Sequence, residues 1–407
     1  MKRRDFLMSS AGLAGVVLPA IGHAQTKPCP PPSVGVAGGS TTQSNCAVGS
    51  AEADWLARST ADGVVAAYDF SKPPANGGDW IWGSLAPGVT CLAYRQSDYP
   101  TARVVDTGIA PPGSTASLRF DLPQGTSERS DNWLISIDDY TKQFGAGDEF
   151  WVQWRQRLNP TMATFDFIQS GGGATTLKQL MISEGMQDPH PYSTARAHRG
   201  YEGPGTNSNN TLNDLRFCSE NQIVMVARAG NTSPQIKYPQ MYHGCQFYVN
   251  FQTYNGSGYT DRNDGNESNP TSCVYSGGSG VVGNPSTCFT YMPGDWLTLM
   301  VRVVCGPQGT AMSSLGGGSQ SGFINSTIEY YGGYPGRPVQ LLHRKTGIVL
   351  RRGNSPGEPG WSPLQKFGLF SWTTFMTLKS STQTHPLAQT WMSQMIISRK
   401  RIADPAF

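Results

Sequence analysis

The chain has 407 residues, 31 Lys+Arg against 28 Asp+Glu, a formal net charge of +3 and only 14% charged residues. Its 48 glycines and 29 prolines argue against a helical bundle and for a loop-rich β protein. Near-neutral charge, with no lysine/arginine block, excludes nucleic acid as an expected partner.

Residues 1–24 read as a twin-arginine export signal. Arg3-Arg4, one spacer and Phe6-Leu7 precede an uncharged stretch from Met8 to Ile21, and Gly22 and Ala24 suit cleavage before Gln25. The competing reading is a membrane anchor. A spanning helix needs ~20 apolar residues, whereas this stretch is short and broken by Gly12, Gly15 and Pro19. Cleavage would lower the net charge from +3 to +1. The expected product is a soluble mature chain with no membrane span, placed in the periplasm or outside the cell.

Residues 25–53 are rich in Pro, Gly and Ser and read as an extended arm. Residues 54–407 read as one domain. Strands are predicted at 64–70, 117–122, 133–137, 149–158, 176–183, 222–227, 296–304, 327–331, 339–343, 367–370 and 391–398, separated by turn-rich loops. Short helices are predicted at 51–58 and 137–144. The stretch 254–288 reads as a long loop stapled by cysteines. Many strands without βα alternation predict an all-β fold, a large antiparallel two-sheet sandwich.

Eight cysteines, none in a C-x-x-C pair, read as disulfides in an oxidising compartment. Eight cysteines allow 105 pairings, so the sequence does not fix them. Proximity favours Cys29–Cys46, Cys218–Cys245 and Cys273–Cys288, which leaves Cys91–Cys305 by elimination.

Five strings carry a resemblance: VVAAYDF, EFWVQWRQRL, KQLMISEG, DWLTLMVRVV and TWMSQMIISRKRIADP. In their order, across most of residues 60–407, the chain resembles the concanavalin A-like jelly roll of lectins, glucanases and several polysaccharide lyases. The resemblance implies a groove on one sheet face and a carbohydrate ligand. The chain lacks the acidic pair that often follows the tryptophan of the last strand, since Trp391 is followed by Met392-Ser393-Gln394. It also lacks the E-x-D-x-E strand of the glucanases.

Strand alternation in 149–158 places Trp151, Gln153, Arg155 and Arg157 on one face and Val152, Trp154, Gln156 and Leu158 on the other. The second suits the core, with Gln156 its one ill-fitting member. The first can hold a carboxylate-bearing sugar, because arginine binds carboxylates bidentately; a solvated face with ion pairs is the competing reading. In 176–184, alternation places Lys178, Leu180, Ile182 and Glu184 together, so Lys178 and Glu184 either extend the polar face or are strand-end charges.

Tyr242-His243 lies beside Cys245. β-Elimination from a uronate needs a group that neutralises the carboxylate, a base for the C5 proton and an acid for the leaving oxygen. Gln153 and Arg155 suit the first role, and His243 and Tyr242 the other two. Arg157, Lys178 and Glu184 would bind substrate. Both Tyr242 and His243 can reach one substrate only if the chain bends there.

His190, His198, His343 and His385 form no metal-ligand spacing, so no cofactor is expected. A structural calcium on Asp261, Asn263 and Asp264 is the alternative. The leading expectation is a polysaccharide lyase acting on an acidic glycan. The alternatives are a non-catalytic glycan-binding protein and a glycoside hydrolase using Glu184 and Glu220.

Overall fold

The computed structural model describes residues 48–94, 103–122, 124, 132–165, 167–168, 176–185, 223–229, 237–243, 274–276, 280–282, 289–312, 319–350, 366–373, 376 and 379–407. The chain divides after Cys46, and all described residues belong to the unit Ala47–Phe407. Asp54, where the domain was expected to begin, lies inside the first helix.

Among the described residues two helices and nineteen strands follow one another. Helix α1 (Val48–Ser59) precedes β1 (Val64–Tyr68), β2 (Ala75–Asp79), β3 (Trp82–Ala86), β4 (Val89–Tyr94), β5 (Arg103–Asp106), β6 (Ser117–Leu122), β7 (Asn132–Ile137) and β8 (Glu149–Leu158). Next come α2 (Pro160–Thr164), β9 (Thr176–Glu184), β10 (Ile223–Ala229), β11 (Lys237–His243), β12 (Val274–Ser276) and β13 (Gly280–Val282). The last six are β14 (Leu297–Val304), β15 (Gln308–Met312), β16 (Ser319–Gly333), β17 (Gln340–Leu350), β18 (Phe367–Thr373) and β19 (Ala388–Ser398).

The strands form the expected antiparallel sandwich. A nine-stranded sheet runs β15-β16-β14-β8-β19-β6-β5, with β1 also on β19 and β17 on β16. An eight-stranded sheet runs β11-β10-β9-β18-β7-β4-β3-β2. The hairpin β12–β13 stands apart, inside the stretch predicted to be a loop. The predicted helix at 51–58 is present within α1, whereas 137–144 holds only a single 3-10 turn, Tyr140–Lys142. Helix α2 was not foreseen, although Asn159 caps it by accepting from Met162 N–H (2.8 Å) and Pro160 occupies its first turn.

The core lies between the sheets. From the nine-stranded sheet it takes Leu118, Phe120, Phe150, Val152, Trp154, Leu158, Leu299, Val301 and Ile397. From the other it takes Trp133, Ile135, Leu180, Ile182, Phe370 and Trp372. These positions alternate along each strand, which identifies the inner and outer phase of each sheet. Gln156 belongs to the inner phase and is satisfied there, accepting from Trp154 Nε1 (3.4 Å) and donating to Thr390 Oγ1 (3.1 Å). One glycine is dictated by geometry. Gly88, between β3 and β4, has φ +71°, and a Cβ there would lie 2.5 Å from that of Asp139.

One disulfide expectation is corrected. No bridge joins Cys91 to Cys305: Cys91 is buried in β4 of the eight-stranded sheet, and Cys305 is a buried thiol just after β14 of the other. Burial pushes the Cys305 thiol far above its ordinary value, with the Asp148 carboxylate adding to the effect. The other six cysteines lie outside the described residues.

Candidate functional site

Around Gln153 and Arg155 the outer face of the nine-stranded sheet is filled by protein, which corrects the expectation that these two residues line an open groove. Gln153 and Arg155 are 1% and 2% exposed. Helix α1 delivers Arg58, whose guanidinium donates to Gln153 Oε1 (2.9 Å), Gln394 Oε1 (2.8 Å) and Asp54 Oδ2 (2.8 Å). Gln153 donates on to Ala403 O (3.2 Å). Arg155 donates to Phe407 O (2.7 Å) and Trp296 O (3.0 Å). The guanidinium expected to hold a sugar carboxylate therefore holds backbone carbonyls, one of them in the segment after β19. Burial, with the Arg58 charge adding, lowers the Arg155 pKa to about 10.

Further along this face, Glu149, Arg302, Glu329 and Arg344 form a connected ion network. Arg302 donates to both Glu149 oxygens (3.0 and 2.9 Å) and to Glu329 (3.2 Å), while Arg344 (2.6 Å) and the Tyr331 hydroxyl also donate to Glu329. Burial pushes the Glu329 carboxyl up, but the three donors outweigh it and hold it below the ordinary range. Arg302 likewise holds Glu149 low. Two carboxylates both held ionised cannot divide into the acid and base that glycoside hydrolysis requires.

Arg157, at the far end of β8, is different. It is partly exposed, its guanidinium lies 5.8 Å from the centre of the Trp391 ring, and no described side chain or carbonyl accepts a hydrogen bond from it. The structure thus separates the predicted row of Gln153, Arg155 and Arg157 into two covered residues and one accessible one.

The eight-stranded sheet gathers polar positions at one edge. Cross-strand register aligns Tyr242, Val224, Met181, Ser371 and Leu134, and their neighbours in sequence, such as Ile182, Phe370 and Ile135, are core residues. This row is therefore in the outer phase. The same phase includes Gln240, level with Val226 and Lys178, and Tyr238, level with Arg228. In the register, positions 178, 228, 238, 240 and 242 of β9, β10 and β11 share one phase. Toward the centre the phase becomes closed: Leu134 and Ser371 are buried, and Thr90 and Ser136 both donate to Asp138 (2.8 and 2.7 Å).

Three expectations change here. Tyr242 and His243 lie within β11, paired with Val224 and Ile223, so they occupy opposite phases, and the bend that both would need to reach one substrate is not there. A register irregularity opposite Met225/Val226 interrupts the alternation of β9. It places Lys178 in the outer phase while Leu180 and Ile182 stay in the core, and Gln179 bonds inward to the Tyr291 hydroxyl (3.0 Å). Glu184, level with buried Phe367, falls in the inner phase at the end of β9, so Lys178 and Glu184 do not share a face. Nor does β11 overhang β8. The two strands belong to different sheets, and Arg155 is on the outer side of its own, across the core.

Tyr238, Gln240 and Arg228, which share this phase of the register, were not singled out from the sequence. They lie in or beside KYPQMYH, an edge strand, where Pro239 is tolerated. Among the described residues no group of three or more His, Cys, Asp or Glu is arranged to hold a metal, and no helix is long and apolar enough to cross a membrane. Asp261, Asn263, Asp264, Glu220, His190 and His198 lie outside the described residues.

No protein-family model matches the chain, and no curated protein matches it in sequence. Solved structures share its outline at great distance. A PL-14 alginate lyase from Aplysia kurodai matches with TM-score 0.44 and 11% identity over 82% of this chain and 98% of its own. The alginate lyase vAL-1 from Chlorella virus matches with TM-score 0.37 and 10% identity over 82% and 99%. The binding domain of botulinum neurotoxin serotype C1 matches with TM-score 0.33 and 8% identity over 84% and 50%. Similarity this remote assigns no activity and aligns no site residue.

Proposed function

We propose that the protein is a polysaccharide lyase that cleaves a uronate-containing glycan by β-elimination, with the polymer crossing the outer phase of the eight-stranded sheet at its β9–β11 edge. The observation that supports this reading is the register that aligns Tyr242, Gln240, Lys178 and Arg228 on one side of three adjacent strands. The outer face of the other sheet, by contrast, is occupied by α1 and the last residues described.

Elimination removes the C5 proton, breaks the C4–O bond and forms a C4=C5 double bond, with a second proton passing to the leaving oxygen. Lys178 and Arg228 supply positive charge for the carboxylate and Gln240 an amide donor, the role first expected of Gln153 and Arg155. Tyr242 protonates the leaving oxygen. As tyrosinate it first takes the C5 proton, so one group serves both steps; His243, in the other phase of a strand without a bend, does not reach the same sugar.

Incubation with a panel of uronate polymers tests the reading, because the unsaturated product absorbs in the ultraviolet and a hydrolysis product does not. Absorbance should rise with at least one polymer, and Tyr242→Phe should slow the rise by ~10²-fold or more. Retention on a glycan gel without any absorbance change would instead identify a binding protein.

A further inference from the structure

The nine-stranded sheet carries a second feature that the elimination chemistry leaves unused. On its outer face the register aligns Arg119 of β6 with Trp391 of β19, and Trp391 with Arg157 of β8, so one indole lies between two guanidinium groups across three strands. The two arginines have different surroundings. Arg119 is committed: it donates to Asp121 (3.0 and 3.2 Å) and to Asp106 (3.3 Å). The Trp391 indole N–H is committed as well, donating to Asp106 (2.9 Å), and Gln389 donates to Asp121 (2.8 Å). These bonds consume both aspartates and fix the indole. Arg157 rests over that ring with its donors unused by any described residue.

A guanidinium held in place by a ring, with its N–H fork open to solvent, matches a carboxylate in geometry and charge. Its surroundings suit a sugar. Met292 and Leu387 are 44% and 48% exposed, on segments bonded to the residues that follow Arg157. Gly294 N–H donates to Leu158 O (2.8 Å), and Asn159 Nδ2 donates to Leu387 O (2.8 Å). Exposed apolar side chains on segments that meet the chain one and two residues past Arg157 offer a surface for the C–H face of a sugar ring near a site for its acid group.

We infer that Arg157 and Trp391 form an accessory binding site for the carboxylate of an acidic glycan, on the sheet opposite the proposed cleavage edge. The inference rests on the reading that the protein's ligand is a uronate polymer. The site anchors the chain on its polymer and takes no part in bond breaking.

Affinity electrophoresis through gels containing alginate, polygalacturonate or a neutral glucan tests it, run in parallel with the absorbance assay on the wild-type protein. Wild type should be retarded by a uronate gel and not by the glucan. Arg157→Gln keeps the side-chain stem over Trp391 but removes the charge; it should bind roughly tenfold more weakly, a loss of about 1.4 kcal/mol. Arg157→Lys, a charge without the planar fork, should recover only part of the affinity. Melting curves of both variants should match wild type, and a variant that melts early is replaced by Arg157→Met. Equal retardation of wild type and Arg157→Gln would overturn the inference, as would equal retardation by neutral glucan. Absorbance that rises while retardation is insensitive to Arg157 sinks the accessory site alone. Retardation sensitive to Arg157 without absorbance keeps the site and sinks the lyase.

Discussion

The two outer faces of this sandwich start from similar material and end differently. Each has a strand whose outer phase carries polar residues: Gln153 and Arg155 in β8, and Gln240 and Tyr242 in β11. On the nine-stranded sheet, protein supplies the partners. Arg58 and the carbonyls of Ala403, Phe407 and Trp296 take up the polar groups, and the face becomes a second, hydrogen-bonded interior. β11 is an edge strand, and its polar positions stand at the rim of the eight-stranded sheet. A polar row on a strand is therefore ambiguous on its own. What covers it decides whether it is a seal, as around Arg155, or can serve as the cleavage edge proposed for β11.

The sharpest way to break this comparison is to exchange activity and stability between the faces. Tyr242→Phe should reduce turnover on a uronate polymer by ~10²-fold or more, the usual contribution of a positioned proton donor, with the melting temperature nearly unchanged. Arg155→Ala should do the reverse. It leaves the carbonyls of Phe407 and Trp296 without their donor and opens a cavity beneath the segment after β19, at a cost of roughly 3 kcal/mol. For a domain of this size that corresponds to ~5 °C. Thermal melts with initial rates on the same preparations check both. A fully stable but inactive Arg155→Ala would return the cleavage site to the nine-stranded sheet.

Much of the fold was legible where burial and period agree. EFWVQWRQRL alternates without interruption and is β8 to the residue. The phase of β9 was not legible, because the irregularity at Gln179 is set by pairing with β10 more than forty residues on. Strand β2, ANGGD, has no side-chain pattern at all. The seal over Gln153 and Arg155 was hidden for another reason. Its parts come from positions 58, 394, 403 and 407, and no local pattern announces that an arginine in a helix will satisfy a glutamine in a strand 95 residues away. Tyr242 was singled out for its neighbouring histidine and cysteine, while Gln240 and Tyr238, two and four residues earlier in the same strand, were not.

The ion network on the nine-stranded sheet should make that face the acid-sensitive one. Glu329 is 2% exposed and its pKa is held below the ordinary 4.5 by Tyr331, Arg344 and Arg302 against the opposing effect of burial. A carboxyl depressed on folding stabilises the protein above its unfolded pKa, and that contribution disappears as pH falls through the folded value. Glu329→Gln should therefore cost roughly 2 kcal/mol at neutral pH, from three donors that lose a charged acceptor. Denaturant midpoints for variant and wild type should converge below pH 4.5. A difference that does not narrow at all as pH falls below 4.5 would mean the glutamate acts through packing alone.

The smallest expected effect concerns the segment that carries the chain from the eight-stranded sheet into β19. His385 there is 1% exposed, packed against the rings of Phe165 (5.6 Å) and Phe167 (5.0 Å). Its Nδ1 is 2.6 Å from Pro386 O, which makes Nδ1 the protonated nitrogen, and its buried Nε2 has no partner. Burial lowers its pKa; the Pro386 bond opposes this, and the neighbouring Lys379, also buried, adds to it. Protonation would therefore place a charge in an apolar cage beside another cation. Because the folded pKa lies below the ordinary 6.5, the unfolded chain binds the proton first as pH falls. Stability should be level above pH 6.5 and decline below it, until the folded-state value is passed. His385→Asn keeps a donor for Pro386 O and removes the titration, so its melting temperature should stay level between pH 6.5 and 5 while that of wild type drops by ~2 °C. The window lies above the range in which Glu329 titrates, so melts at half-unit pH steps separate the two groups. Parallel decline of wild type and variant from pH 6.5 to 5 would show that His385 does not titrate against this cage.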